Sequence, residues 1–274
     1  MPKDIVAEPF LTDLGNKDLC SPFFGGNNTL HVCLQNSGEV LRVSPSGQLT
    51  KFHCTQGQLS GSCFDTQGML YCADFAHGAV LKSAGDAEQD VVVAVYEDRP
   101  LRGPNSVICV NNTVIFTDSG PRGETGLHNP SGSVFCIKNG LLVPVSFGNL
   151  AYPTGLASHG GFLYVCEQSM NRILRFYQEP EGVYHSSVFY QSAGGVGPSC
   201  VAVDAQGTLY VGIYETSAGA KRRGGKVLVI SDAGELVSTI TTAGPEVTGV
   251  AINTATQTLY ITERSTGSIL TVRL

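Results

Sequence analysis

Six segments of the chain repeat one pattern, and that repeat constrains the fold more than any other feature. Each has a small or polar residue, a short apolar run, a turn, and then Leu-Tyr-Val or its equivalent. They read CSPFFGGNNTLHVCL from 20, SGSCFDTQGMLYCAD from 60, NSVICVNNTVIFTD from 105, TGLASHGGFLYVCE from 154, SCVAVDAQGTLYVGI from 199 and TGVAINTATQTLYITE from 248. Successive starts differ by 40, 45, 49, 45 and 49 residues, the length of one four-stranded propeller blade. A third strand follows each pair: GEVLRV, GAVLKS, GSVFCI, NRILRF, GKVLVI and GSILTV. Asp65-Thr66-Gln67-Gly68 and Asp204-Ala205-Gln206-Gly207 supply turn chemistry at equivalent first hairpins.

The sixth segment ends on its third strand, so its outer strand has to come from elsewhere. Residues 4–11 (DIVAEPFL) are the candidate, and such a closure leaves no free sheet edge. The sequence therefore predicts an all-β, single-domain, six-bladed β-propeller over 1–274, closed by an N-terminal strand in the last blade. A charged fraction of 15% and 33 glycines suit many short buried strands.

Composition also narrows the partners. A net charge of −6 argues against nucleic acid, which needs a basic face. The cluster Lys221, Arg222, Arg223 and Lys226 reads as a solvated loop tip. Nine scattered cysteines with no CxxC or CxxH spacing give no zinc motif and suit a reducing compartment. The opening MPKDIVAEPF lacks the apolar run of a signal peptide, and no stretch reaches membrane-spanning length. The expectation is a cytoplasmic protein with no membrane partner, for which the sequons at Asn27 and Asn111 carry no meaning.

Aligned on the Leu-Tyr-Val strands, Cys20, Ser60, Asn105, Thr154, Ser199 and Thr248 take equivalent places at the start of each innermost strand. Four residues after each Leu-equivalent stand Asp74, Asp118, Glu167 and Glu263, with Leu34 and Ile213 in the other two blades. Strand antiparallelism brings both sets to one rim. An acid at such a turn closes the hairpin on backbone N–H groups, the expected role of Asp74 and Glu263. Asp118 and Glu167 are the candidate catalytic acids. Two longer loops, 119–133 and 215–225, overhang the rim and carry Arg122 and His128 in the first.

Several stretches resemble the senescence-marker/gluconolactonase family, which includes regucalcin-like proteins and drug-responsive lactonases. They are Arg102-Gly-Pro-Asn105, Phe116-Thr-Asp118, Thr154-Gly-Leu, Gly197-Pro-Ser199 and Val-Asp204-Ala-Gln-Gly-Thr-Leu-Tyr. The likeness covers nearly the whole chain, although its short motifs are partly shared with NHL-repeat propellers. It implies a divalent metal, usually calcium, on the channel axis, and hydrolysis of lactones or related esters. The implied ligands are a Glu in the first blade, two Asn in the middle blades and an Asp in the fifth. Of these only Asn105 remains, with Cys20, Thr154 and Ser199 at the other positions.

Calcium takes six to eight hard oxygens, with affinity set largely by their charge, so the expectation is a degenerate site with no metal or other cofactor. Cys20 as a nucleophile has no His placed beside it by the repeat. One reading is a small-molecule binder or slow hydrolase, with Arg102, Asn105, Thr154, Ser199, Cys20, Tyr152 and Tyr214 around the ligand and Asp118 and Glu167 as acids. The other is a non-catalytic propeller holding a protein partner.

Overall fold

The computed structural model describes residues 3–15, 18–85, 88–217, 219 and 224–274. It forms strands where the repeat predicts them, because each apolar run alternates toward a buried face. The chain falls into two compact units, one of residues 23–154 and one of residues 1–22 with 155–274. Their boundaries run through the strands Leu19–Phe24 and Pro153–His159.

The 23–154 unit carries three four-stranded antiparallel sheets. Their first strands are Leu19–Phe24, Leu59–Phe64 and Pro104–Val110, and their outer strands are Leu49–Cys54, Asp90–Val93 and Leu141–Leu150. Its core joins the second and third sheets through Tyr71, Val80, Val107, Val114, Phe116 and Phe135. Each such side chain contributes about 1.5–3 kcal/mol on burial. A separate two-stranded hairpin, Val95–Tyr96 with Arg99–Pro100, precedes the third sheet.

The second unit repeats the arrangement from Pro153–His159, Gly197–Val203 and Val247–Asn253. Its core packs Tyr164, Ile173, Val211 and Ile230 in one cluster and Val227, Ile240, Leu259 and Ile261 in another. Six sheets of this order, five of four strands and one of five, make the fold a six-bladed β-propeller.

The N-terminal strand is two strands rather than one. Glu8–Leu11 pairs antiparallel with Ser268–Arg273 and completes the sixth blade. Lys3–Val6 instead runs parallel to Leu236–Thr242, adding a fifth strand to the fifth blade. Both blades thereby gain a covered edge, as strand edges require.

The predicted turns form as their side chains dictate. Asp65 Oδ1 accepts from Gln67 N and Met69 N, both at 2.9 Å, and Asp204 Oδ1 does the same for Gln206 N and Thr208 N. None of the nine cysteines is in a disulfide. Burial pushes the thiol of Cys200 up to about 12 and raises those of Cys63 and Cys166, the behaviour of cysteine as a small hydrophobe. Among the described residues no helix is long and apolar enough to cross a membrane.

Candidate functional site

Four of the six aligned polar residues sit on β-bulges. The register between first and second strands shifts across Leu59/Gly61, Pro104/Val107, Pro198/Cys200 and Val247/Gly249. Ser60, Asn105, Ser199 and Thr248 therefore lie within the irregularity of their blades. A bulge re-aims its side chain out of the strict alternation of a strand.

Close backbone packing accompanies the bulges. A Cβ on Gly61 would meet the carbonyl oxygen of Asn105 at 2.7 Å, and one on Gly249 would meet Ser21 N at 2.7 Å. A side chain at either glycine would therefore wedge neighbouring first strands apart.

In the 1–22/155–274 unit the hydroxyls at these positions donate to the backbone. Ser199 Oγ lies 2.7 Å from Val247 O and 3.2 Å from Gly212 O. Thr248 Oγ1 lies 2.7 Å from Leu19 O, the carbonyl just before the buried Cys20. In the other unit Thr117 Oγ1 accepts from Ser106 N at 3.0 Å and donates to Thr154 O at 2.9 Å. Thr154 itself is buried, whereas Asn105 is half-buried.

Three of the four acids close their hairpins. Asp74 Oδ1 accepts from Gln58 N and His77 N, and His77 Nδ1 lies 3.1 Å from the same oxygen. Glu263 takes Glu246 N, Ser265 N and Thr266 N. Asp118, 4% exposed, takes Arg102 N at 3.0 Å and Gly103 N at 2.6 Å. In all three cases the acid at the end of a second strand holds backbone N–H just before the first strand of its blade. Glu167 instead holds the guanidinium of Arg172, Nε to Oε2 2.6 Å.

Their protonation behaviour differs. Burial raises the Asp118 carboxyl above the usual carboxylate value, against the pull of the Arg102 and Gly103 N–H groups and the Arg102 charge. For Asp74 burial acts in the same direction, but hydrogen bonds from Thr55, His77 and Gln58 outweigh it and lower the value.

The structure brings Arg102 and Asp118 together on a cavity of about 650 Å³ in the 23–154 unit. Asn105, Tyr152 and Thr154 do not line it. Tyr152 stands just before Pro153 with a left-handed φ of 59°, an uncommon conformation for an aromatic residue. In the other unit, Tyr214 donates its hydroxyl to Glu246 Oε2 at 3.3 Å.

The 119–133 loop is tied to itself, through Gly126 N to Asn129 O and Asn129 Nδ2 to Glu124 O, and leaves Arg122 and His128 exposed. Lys221, Arg222 and Arg223 lie outside the described residues. Sequence reasoning missed Thr117, the Arg172 partner of Glu167, and the cavity residues Tyr96, Arg99 and Phe147. Glu97-Asp98 at the centre of their hairpin carries none of the usual Asn-Gly signal.

Bulged first strands, acid-closed hairpins and six blades define a six-bladed β-propeller. The family profile described as the SMP-30/gluconolactonase/LRE-like region matches residues 26–265, and the chain belongs to this family.

Solved structures share the fold at low identity. A gluconolactonase of Xanthomonas campestris is 20% identical, with 98% of this chain and 97% of that one covered and a TM-score of 0.79. The calcium-binding protein regucalcin of Agrobacterium tumefaciens is 16% identical over 99% and 95% of the two chains, with a TM-score of 0.81. A virginiamycin B lyase of Staphylococcus aureus is 13% identical over 96% and 83%, at 0.65. No curated protein matches the sequence.

Proposed function

We propose that this protein is a divergent member of the lactonase-like propellers that binds a small ligand at the rim where its first strands begin. Its calcium position is degenerate, and it hydrolyses lactones or esters slowly. The observation that carries the reading is the hydroxyl of Ser199. It occupies the place for which the resemblance implies an Asp, and it donates to the carbonyl of Val247 at 2.7 Å, with that of Gly212 at 3.2 Å.

The donor set does not fit calcium. Cys20, Asn105, Thr154 and Ser199 offer no carboxylate and one soft sulfur, while calcium affinity rests on charged oxygens.

Asp118 supports the slow-hydrolysis part. A general base works best with a proton affinity near the working pH, and burial moves Asp118 in that direction. Glu167 is held by Arg172 and serves in this reading to keep its rim segment in place.

The test is hydrolysis of a panel of lactones and aryl esters with calcium, with zinc and with chelator. Slow turnover indifferent to chelator is expected. Turnover abolished by chelator and restored by calcium would overturn the degenerate position. No turnover and no bound small molecule, with a protein partner recovered and reconstituted from purified components, would replace this reading with the scaffold one.

A further inference from the structure

We propose that the cavity lined by the 95–100 hairpin is a binding site for a small aromatic carboxylate. At about 650 Å³ it lies within the usual range of small-molecule pockets. None of Cys20, Asn105, Thr154 and Ser199 lines it, although Arg102 and Asp118, named above for the rim ligand, do. It reaches instead along the third and outer strands of the third blade, through Phe135 and Phe147.

A hairpin lines it. Val95 pairs with Pro100 and Tyr96 with Arg99, joined by Glu97 and Asp98 at φ 48° and 58°. Positive φ at both central residues is the signature of the type I′ turn, whose twist matches its strands. The short hairpin thus sets Tyr96 and Arg99, neighbours across the strand pair, along one cavity.

The wall is aromatic. Tyr96 lies 5.0 Å from Phe135 and 5.1 Å from Phe147, centroid to centroid, and Phe135 lies 6.0 Å from Phe147. Phe135 is buried, whereas Phe147 is 47% exposed. A large ring left half in water gains about 25 cal/mol for each Å² that a ligand covers, and a flat ligand ring adds edge or offset-stacked contact.

The lining carries two cations, Arg99 and Arg102, beside two acids, Asp118 and Glu124. Arg99 and Arg102 both line the cavity and are exposed. Among the described residues neither guanidinium is in an ion pair. The Asp118 carboxylate accepts from the backbone N–H groups of Arg102 and Gly103 and also feels the Arg102 charge, so Arg99 is the guanidinium on which a ligand carboxylate would rest. Arginine presents a planar fork that matches a carboxylate. Glu124 lines the same cavity from the 119–133 loop, and its charge favours a ligand with one anionic group over a dianion.

Isothermal titration with 2-naphthoate tests the site, with 2-naphthylmethanol as the uncharged counterpart. One saturable site is expected for the acid, with weaker binding of the alcohol. Arg99→Gln and Phe147→Ala should each weaken the acid about tenfold, the scale of one charge-assisted bond or one aromatic contact. Arg99→Gln lies on an exposed hairpin and should leave the melting temperature unchanged, so its result stands even if Phe147→Ala unfolds. No saturable binding, or binding that Arg99→Gln leaves unaltered, would overturn the proposal. The ligand is neither lactone nor ester, so its titration succeeds or fails independently of the hydrolysis panel.

Discussion

Ser199 Oγ donates to the carbonyl oxygen of Val247 at 2.7 Å, tying the first strand of the fifth blade to that of the sixth. Ser199→Ala removes this bond and should cost about 1 kcal/mol, a fall of roughly 2–4 °C in melting temperature. Ser199→Asp, measured in chelator, should fall further, because a carboxylate would face the oxygens of Val247 and Gly212 without a hydrogen to share. Calorimetry of the two variants checks this. An Asp variant as stable as the parent would mean that the position does not need a donor.

Asp74 organises its rim turn in the same way that Asp118 and Glu263 organise theirs. Asp74→Ala strips acceptors from Gln58 N and His77 N and should cost about 3 kcal/mol, the scale of a charge-assisted bond lost from a buried group. Its folded value is depressed. It therefore contributes stability above the unfolded carboxylate value of 3.8, which is lost as pH falls through the lower folded one. Gly57→Ala should be damaging too, since the added Cβ would come within 2.4 Å of both Asp74 oxygens and of His77 Nδ1. Denaturant midpoints at pH 7 measure both changes, and an unaltered midpoint for Asp74→Ala contradicts the turn-closing role.

The blades were legible in the sequence because their signals are local. Asp65 and Asp204 cap N–H groups two and four residues on, and strand alternation shows in any short window. The bulges were not legible, since an extra residue breaks the period of two that reveals a strand. Nor were the acceptors of Ser199 and Thr248, which lie 48 and 229 residues away. Residues 4–11 read as one extended run, yet Ala7 N turns to Thr241 O and divides the run between two blades. That choice depends on which sheet edges are open, a property of the assembled blades. Asp118 and Arg102 were found by their motif, but the cavity they share with Tyr96 and Phe147 depends on a hairpin without a glycine.

His31 gives the 23–154 unit a pH-dependent core. Its ring lies 5.4 Å from Phe23, 5.0 Å from Phe52 and 5.1 Å from Phe64. Nδ1 meets Thr29 O at 3.1 Å, while Nε2 is buried without a hydrogen-bond partner. Burial, with the nearby Arg42 charge a lesser cause, lowers its value from 6.5 to about 4. The neutral form is favoured by folding, so stability is full above pH 6.5 and falls as pH drops toward 4, where the folded state also protonates. The gap corresponds to roughly 3 kcal/mol at most. His31→Phe should flatten this part of the stability–pH curve, and a curve of unchanged slope between pH 6.5 and 4 contradicts it.

Glu167 and Arg172 separate a structural from a chemical role for the second candidate acid. Glu167 is buried with its Oε2 2.6 Å from Arg172 Nε, at the end of one strand and the start of the next. Arg172→Met would leave a buried carboxylate without its cation, a loss of about 3–5 kcal/mol. Glu167→Gln keeps the shape and one acceptor, so it should cost less, and the double variant should recover part of the Arg172→Met loss by removing the stranded charge. Such non-additivity is the mark of a coupled pair. If turnover is found, Glu167→Gln should change it only in step with the melting temperature. A Glu167→Gln protein of parental stability that has lost turnover would make Glu167 a catalytic group after all.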